Sequence, residues 1–466
     1  MNIKNFLKIL SAKKIETFFI FLWIYALFFD VLADRSGDPD IFWNYDYSHF
    51  LISGMKPYAD YGFAASPFFV YLYAIPLIIK DDLYIHTLNA IPEILCLTGI
   101  YYAIFKKLLK KSKVHSFAVA CFFTVIFPSF QISPNYNTLC TILFLTAFAL
   151  WLYVPKYNVK TACLSGLLCS VAFFNKPNIG LYMALAVLAA IIYSKAGVKK
   201  LITFALSGVI FTLAGFTFIY SQGYFDQYLT HILSTGDFPV SLIDTVFAIV
   251  IYSGLTAVEV SIIRKKQKQI LTRIFIFSAF MKLGIWPEPN SAHVFHCISF
   301  TAFLFLYCLE EGELRKTTDA AEKRKDKTAV TVCCIAALIF FVMSPICIIT
   351  RSSNVREETD QIIEYMKEHP GKYYIIDRCA MRVRYYSGKN EFYKFYDLFY
   401  DGSMVNSDAV SLVQDADCDY FIMNREKCDR QINKEAYEMI KSMNEIDMID
   451  GRIDTYGVYE NPNCKN

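Results

Sequence analysis

Between residues 38 and 67 the chain reads 38-DPDIFWNYDYSHFLISGMKPYADYGFAASP-67, with Asp38, Asp40, Asp46 and Asp60 set among aromatic rings. A carboxylate held in such a setting can remove a proton from an incoming hydroxyl. Asp40 leads the candidates for that role. Asp38, two residues earlier, could orient the acceptor or help hold a divalent cation, magnesium or manganese, through hard oxygen ligands. The same Asp-Pro-Asp also suits a solvated turn and helix cap, so both readings stand. Asp46 and His49 fall in 41-IFWNYDYSHFLISG-54, which reads as a short helix along a membrane surface with its aromatics in the interface. There they either touch substrate or keep the helix wet. Gly54, Pro57 and Tyr58 read as a helix stop and turn. Asp60 follows, at substrate or on a solvated surface.

Lys176 is the second sharp feature, in the turn 174-FNKPN-178 between two apolar runs. An ionisable group at a membrane border is costly and points to function. A cation there would attract a lipid phosphate and stabilise a phosphate leaving group as its charge grows. The bland account is a lysine snorkelling to phospholipid headgroups. A third cluster, Lys282, Glu288, Asn290, His293 and His296, stands at the outer ends of two later runs, with Lys282 and His293 as further candidate phosphate ligands. Two histidines without a partnering Cys or carboxylate do not make a zinc site, and no metal-ligand set is assigned. Glu93 is the one charge deep in an expected span, where it packs with a polar neighbour such as Asn89. The chain has no phosphate-binding glycine loop, nucleophile elbow or HExxH motif. ATP-driven work and a nucleic-acid partner are therefore not expected.

The elements that must position these residues are membrane spans. The chain has 466 residues, is 55% hydrophobic and 17% aromatic, and carries only 19% charged residues. Its mean hydropathy is +0.33, and a soluble chain of this size would hold nearer a quarter charged residues. Apolar runs predict eleven spans near residues 15–33, 84–105, 115–133, 138–155, 161–175, 178–194, 199–220, 241–263, 269–286, 291–309 and 328–350. The segment 67-PFFVYLYAIPLIIK-80 is too short to cross and is read as an interfacial or re-entrant helix. With that choice, 25 Lys and Arg lie on inner segments, against five (Arg35, Lys56, Lys80, Lys176 and Lys282) on outer ones before residue 351. This asymmetry puts the N-terminus in the cytoplasm and the tail outside. Of 14 cysteines, four (Cys379, Cys418, Cys428 and Cys464) are in the tail, where an exterior location would let them pair. The tail, 351–466, alternates amphipathic helix patterns (355-VREETDQIIEYMKEH and 433-NKEAYEMIKSM) with short apolar runs (373-YYIID, 419-DYFIMN and 457-GVYE). That pattern predicts a small extracytoplasmic α/β domain, after a 1–350 membrane domain with its first exterior loop at 34–83.

Asp40, then thirteen residues, then Gly54-x-x-Pro57-Tyr58 and a Pro67-led apolar segment resembles the first exterior loop of GT-C fold glycosyltransferases, which take sugars from polyprenyl-phosphate carriers. The Lys176-Pro177-Asn178 turn is similar to the lysine-containing turn of many bacterial members. The His293 segment resembles the family's histidine before a late span, although His293-Val294 stands where members often have His-Tyr. The resemblance implies an inverting transfer of hexosyl type to a cell-envelope glycan, lipid or protein on the outer face. Asp40 would be the base, and Lys176, with Lys282 or His293, would hold the polyprenyl phosphate. Members often show Asp-Glu where this chain has Asp38-Pro39-Asp40, so either aspartate can be the base. Two competing classes are a lipid or sugar transporter or flippase, which calls for charges buried in mid-span, and a non-catalytic envelope scaffold.

Overall fold

The computed structural model describes residues 12–32, 39–58, 66–109, 112–126, 136–154, 156–234, 242–284, 299–310, 353–376, 379–387, 410–411, 413–426 and 434–464. After α1 (Ala12–Leu32) come the loop helices α2 (Pro39–Ile52), α3 (Phe68–Ala74, continued by a 3-10 turn at Pro76–Ile78) and α4 (Leu83–Thr87). Then follow α5 (Ala90–Leu108), α6 (Lys113–Ile126), α7 (Tyr136–Tyr153), α8 (Val159–Asn175), α9 (Pro177–Tyr193) and α10 (Val198–Gln222). The series continues with α11 (Phe225–Ser234), α12 (Leu242–Lys266), α13 (Gln269–Leu283) and α14 (Ser299–Glu310). Among the described residues each of the first ten expected spans overlaps a helix, residues 127–133 and 291–298 of two of them lying outside those described, as does the whole of the eleventh, 328–350. Leu83–Leu108, Tyr136–Tyr153, Val198–Gln222 and Thr245–Lys265 are long and apolar enough to cross a membrane, and shorter apolar helices accompany them. The seven residues of α3 extend only about 10 Å.

The chain divides into two compact units. The first comprises Met1–Leu32, Thr87–Phe218 and Val240–Phe341. Here α6 packs on α1 and α5, α9 on α8 and α13, and α13 on α14. Phenylalanines fill the gaps edge-on: the ring centres of Phe148 and Phe300 are 5.1 Å apart, and those of Phe300 and Phe303 are 5.3 Å apart, the geometry that aromatic quadrupoles favour. Close approach of α8 and α10 depends on small residues. A Cβ on Gly166 would come within 2.7 Å of the Gly208 amide nitrogen. One turn on, Ser170 donates to the Gly208 carbonyl at 2.9 Å. Small residues with a hydroxyl cross-link are the usual means of joining helices without a hydrophobic drive between them.

The second unit comprises Ala33–His86, Ile219–Pro239 and Val342–Asn466. Its tail portion begins with α15, over residues 353–368. Then come β1 (Tyr373–Ile376), α16 (Ala380–Ser387), β2 (Tyr420–Asn424), α17 (Lys434–Lys441), β3 (Glu445–Asp450) and β4 (Thr455–Glu460). The sheet order is β1-β2-β4-β3, parallel between β1 and β2 and antiparallel elsewhere. Alternation along the strands gives two apolar faces. Ile375, Ile422 and Val458 pack with Ile362, Met366, Cys379 and Val383, whereas Ile376, Phe421 and Met423 pack with Cys418, Tyr437 and Ile440. Cys379 and Cys418 thus lie on opposite faces, which excludes that pairing. Cys428 lies outside the described residues.

One expectation about the loop is overturned. The aromatics of α2 do not lie in a membrane interface; they are interior residues of the protein. Ile41, Phe42, Tyr45, Tyr47 and Phe50 are each at most 4% exposed, and Phe42 belongs to the apolar cluster built on the tail sheet. Loop and tail, expected as separate parts, share one unit. The physical reason is composition: an aromatic-rich helix satisfies a protein core as well as it does a headgroup region.

Candidate functional site

Pro39 and Asp40 are the first two residues of α2, proline being at home where a helix begins because its missing N–H has no intrahelical partner there. The Asp40 side chain, Asp38, Asp60, Glu288, Asn290, His293 and His296 lie outside the described residues. Asp46, two turns further along α2, was expected to be at substrate or to keep a surface helix wet. It is instead completely buried. Its Oδ2 accepts from Arg384 Nε at 3.1 Å, and its Oδ1 pairs with Arg384 Nη2. Arg384 comes from α16, so a tail helix grips the loop helix through a forked contact.

His49 is half-buried on the same helix and faces Asp81. Its Nδ1 is 2.5 Å from Asp81 Oδ2, and the Tyr45 hydroxyl donates to Asp81 Oδ1 at 3.0 Å. Burial, and then the Asp81 charge, raise the Tyr45 hydroxyl well above its usual range, so it remains a donor. A carboxylate on Nδ1 fixes the orientation of the imidazole. The helix stop falls where the sequence placed it: α2 ends at Ile52, and Gly54 takes a φ of +84°. Tyr58, with a φ of +63°, packs against Tyr224 and Tyr228 with ring centres 5.9 and 5.6 Å away. The Gly54-x-x-Pro57-Tyr58 turn therefore anchors the start of α11, all within the second unit.

In the first unit, Lys176 is the single residue between α8 and α9, with Pro177 as the first residue of α9. Its Nζ donates to Asn137 Oδ1 at 3.0 Å and is 5.1 Å from the centre of the Tyr136 ring. Asn175 donates to the Tyr136 carbonyl at 2.7 Å. The turn is thus pinned to the first residues of α7, holding an ammonium at a helix junction where an anion could meet it.

Lys282 is placed otherwise than expected. It is 4% exposed and its Nζ is 2.8 Å from Glu259 Oε2 in α12. Glu259 also accepts from Ser278 at 2.8 Å and Thr301 at 2.5 Å. Its charge is matched inside the helix bundle, which removes it as a phosphate ligand. Glu259 is itself a correction, since Glu93 had been the only charge expected deep in a span; Glu93 is buried as well. Among the described residues, no three His, Cys, Asp or Glu side chains converge to hold a metal ion. Asp81 and Arg384 were not foreseen. The adjacent acids Asp81-Asp82 before the second span were a visible signal, whereas nothing local marks Arg384.

No protein-family model and no curated protein matches the chain. Among solved structures it is similar to ArnT from Cupriavidus metallidurans in the apo state, with a TM-score of 0.55 and 9% identity over 97% of this chain and 98% of that one. The same holds for ArnT bound to undecaprenyl phosphate, with a TM-score of 0.55 and 10% identity over 98% and 100% of the two chains. A weaker likeness, with a TM-score of 0.49 and 12% identity over 87% and 67%, is to the Archaeoglobus fulgidus oligosaccharyltransferase in complex with Zn and sulfate. At such identities the likeness defines the fold. The chain is a polytopic α-helical protein of GT-C fold with a small α/β tail.

Proposed function

We propose that this protein is an inverting glycosyltransferase, of hexosyl type, that moves a sugar from a polyprenyl-phosphate carrier to a cell-envelope glycan, lipid or protein. One observation carries the reading: the fold is shared, over nearly the full length of both chains, with ArnT, which has been solved with undecaprenyl phosphate bound. In this reading Asp40 takes the proton of the acceptor hydroxyl as its oxygen attacks the anomeric carbon. The bond from that carbon to the phosphate oxygen breaks, the centre inverts, and polyprenyl phosphate leaves with the electron pair. The Lys176 ammonium offsets the charge that grows on the departing phosphate. The reaction belongs to the outer face, with the N-terminus cytoplasmic and the tail extracytoplasmic, as the distribution of basic residues supports. The Glu259–Lys282 pair is internally matched and hydroxyl-bonded, which supports a structural role for it.

The test is transfer from undecaprenyl-phosphate-linked hexoses by purified protein in lipid nanodiscs. Asp40→Asn should lower turnover by about 10² to 10⁴-fold, the usual loss when general base catalysis is removed. A folded Asp40→Asn protein with full turnover would eliminate Asp40 as the base.

A further inference from the structure

We infer that Arg384 is a positioning residue. Through Asp46 it sets the orientation of the helix that carries Asp40, so the tail governs turnover and not donor binding. This rests on the reading of Asp40 as the base.

The contact has the features of a clamp. Asp46 is fully buried and Arg384 is 4% exposed at the side chain. Both carboxylate oxygens face the guanidinium, and a forked contact fixes angle as well as distance. Rings enclose the pair: the guanidinium carbon is 5.2 Å from the centre of the Phe50 ring and 5.9 Å from that of Tyr45. The grip extends along the helix. Tyr385 meets Tyr45 edge-on at 5.5 Å, and Phe42 meets Tyr385 and Tyr386 at 5.8 and 6.0 Å. Phe42, Asp46 and Phe50 recur every four residues, so they form one stripe of α2.

Cohesion alone does not call for a charge here. The surrounding cluster is apolar, and a buried ion pair is often no more stabilising than hydrophobic residues of the same volume. What the pair adds is a fixed geometry. Asp40 lies six residues from Asp46 on one continuous helix, about 9 Å along its axis. A rigid helix transmits a rotation over that distance undiminished, and a shift of about 1 Å can cost a reacting group on the order of 10²-fold in rate.

The experiment uses the full chain in nanodiscs and a panel of undecaprenyl-phosphate-linked hexoses. It compares wild type with Arg384→Lys, Asp40→Asn and the double variant Arg384→Met with Asp46→Leu, reading kcat, donor KM and thermal unfolding. The double variant leaves no unmatched buried charge and should remain folded. Its kcat is expected to fall by about 10- to 100-fold with donor KM within about two-fold, while Arg384→Lys recovers part of the loss. A folded double variant with wild-type kcat would overturn the inference, as would a loss confined to KM. If Asp40→Asn is fully active, the base has been misassigned whatever the double variant does. If Asp40→Asn is inactive and the double variant is normal, only the role of Arg384 fails. Absence of transfer by wild type from every donor in the panel overturns both.

Discussion

Two ion pairs, Glu259–Lys282 and Asp46–Arg384, each bury both partners to 4% exposure or less, yet they are built on different plans. Glu259 and Lys282 are 23 residues apart, on consecutive helices of the first unit, and Ser278, Thr301 and Thr256 donate to or accept from them. Asp46 and Arg384 are 338 residues apart and are enclosed by aromatic rings. The first pair pins two neighbouring helices with hydroxyls in support. The second closes the chain on itself, joining a loop helix to the tail. The cation differs as well: a buried lysine that loses its carboxylate can give up its proton, whereas an arginine cannot.

That chemical difference orders the expected effects. Asp46→Asn should be the most damaging, leaving a guanidinium that must stay charged in an apolar cluster. The loss is about 3–5 kcal/mol, read as earlier unfolding and faster proteolysis of the tail. Glu259→Gln should cost less, about 1–2 kcal/mol, because the amide and the nearby hydroxyls still offer hydrogen bonds. Thermal unfolding of the two purified variants side by side checks the ranking, and a reversed order would break the comparison. The smallest effect is expected at the surface. Asp419 accepts from the Lys372 amide at 2.7 Å. This bond, then the Cys464 thiol, depresses its carboxyl below the ordinary 3.8. A depressed carboxyl contributes stability that is present above pH about 4 and is lost as pH falls through its folded value. Asp419→Asn should flatten that acid limb of the unfolding curve slightly, with a small loss of stability at neutral pH that vanishes once pH falls below the folded value of the carboxyl.

Much of the architecture is legible because the membrane leaves few options. An apolar run long enough to cross must be a helix, so α7 and α10 fall close to where hydropathy places them. In the tail, 373-YYII and 420-YFIMN announce largely buried strands through their β-branched and aromatic residues. β3, reading EIDMID, was missed; five of its six residues are exposed, and an acidic edge strand lacks an apolar face to give it away. At the site, the Gly54 stop and the Lys176 junction were visible as local backbone signals. The partners of Asp46 and Lys282 were not, because a carboxylate's environment depends on contacts that no spacing rule encodes. Asp46 therefore looked like a solvated residue, and Lys282 like a phosphate ligand.

A junction of one residue between α8 and α9 leaves the backbone no slack, and Pro177 fixes a further torsion. An arriving anion at this corner would meet a preset group and cause little ordering loss on capture. The same stiffness makes the corner intolerant of added length. Two glycines inserted beside Lys176 would free the hairpin from α7, whereas similar insertions in a surface turn usually go unnoticed.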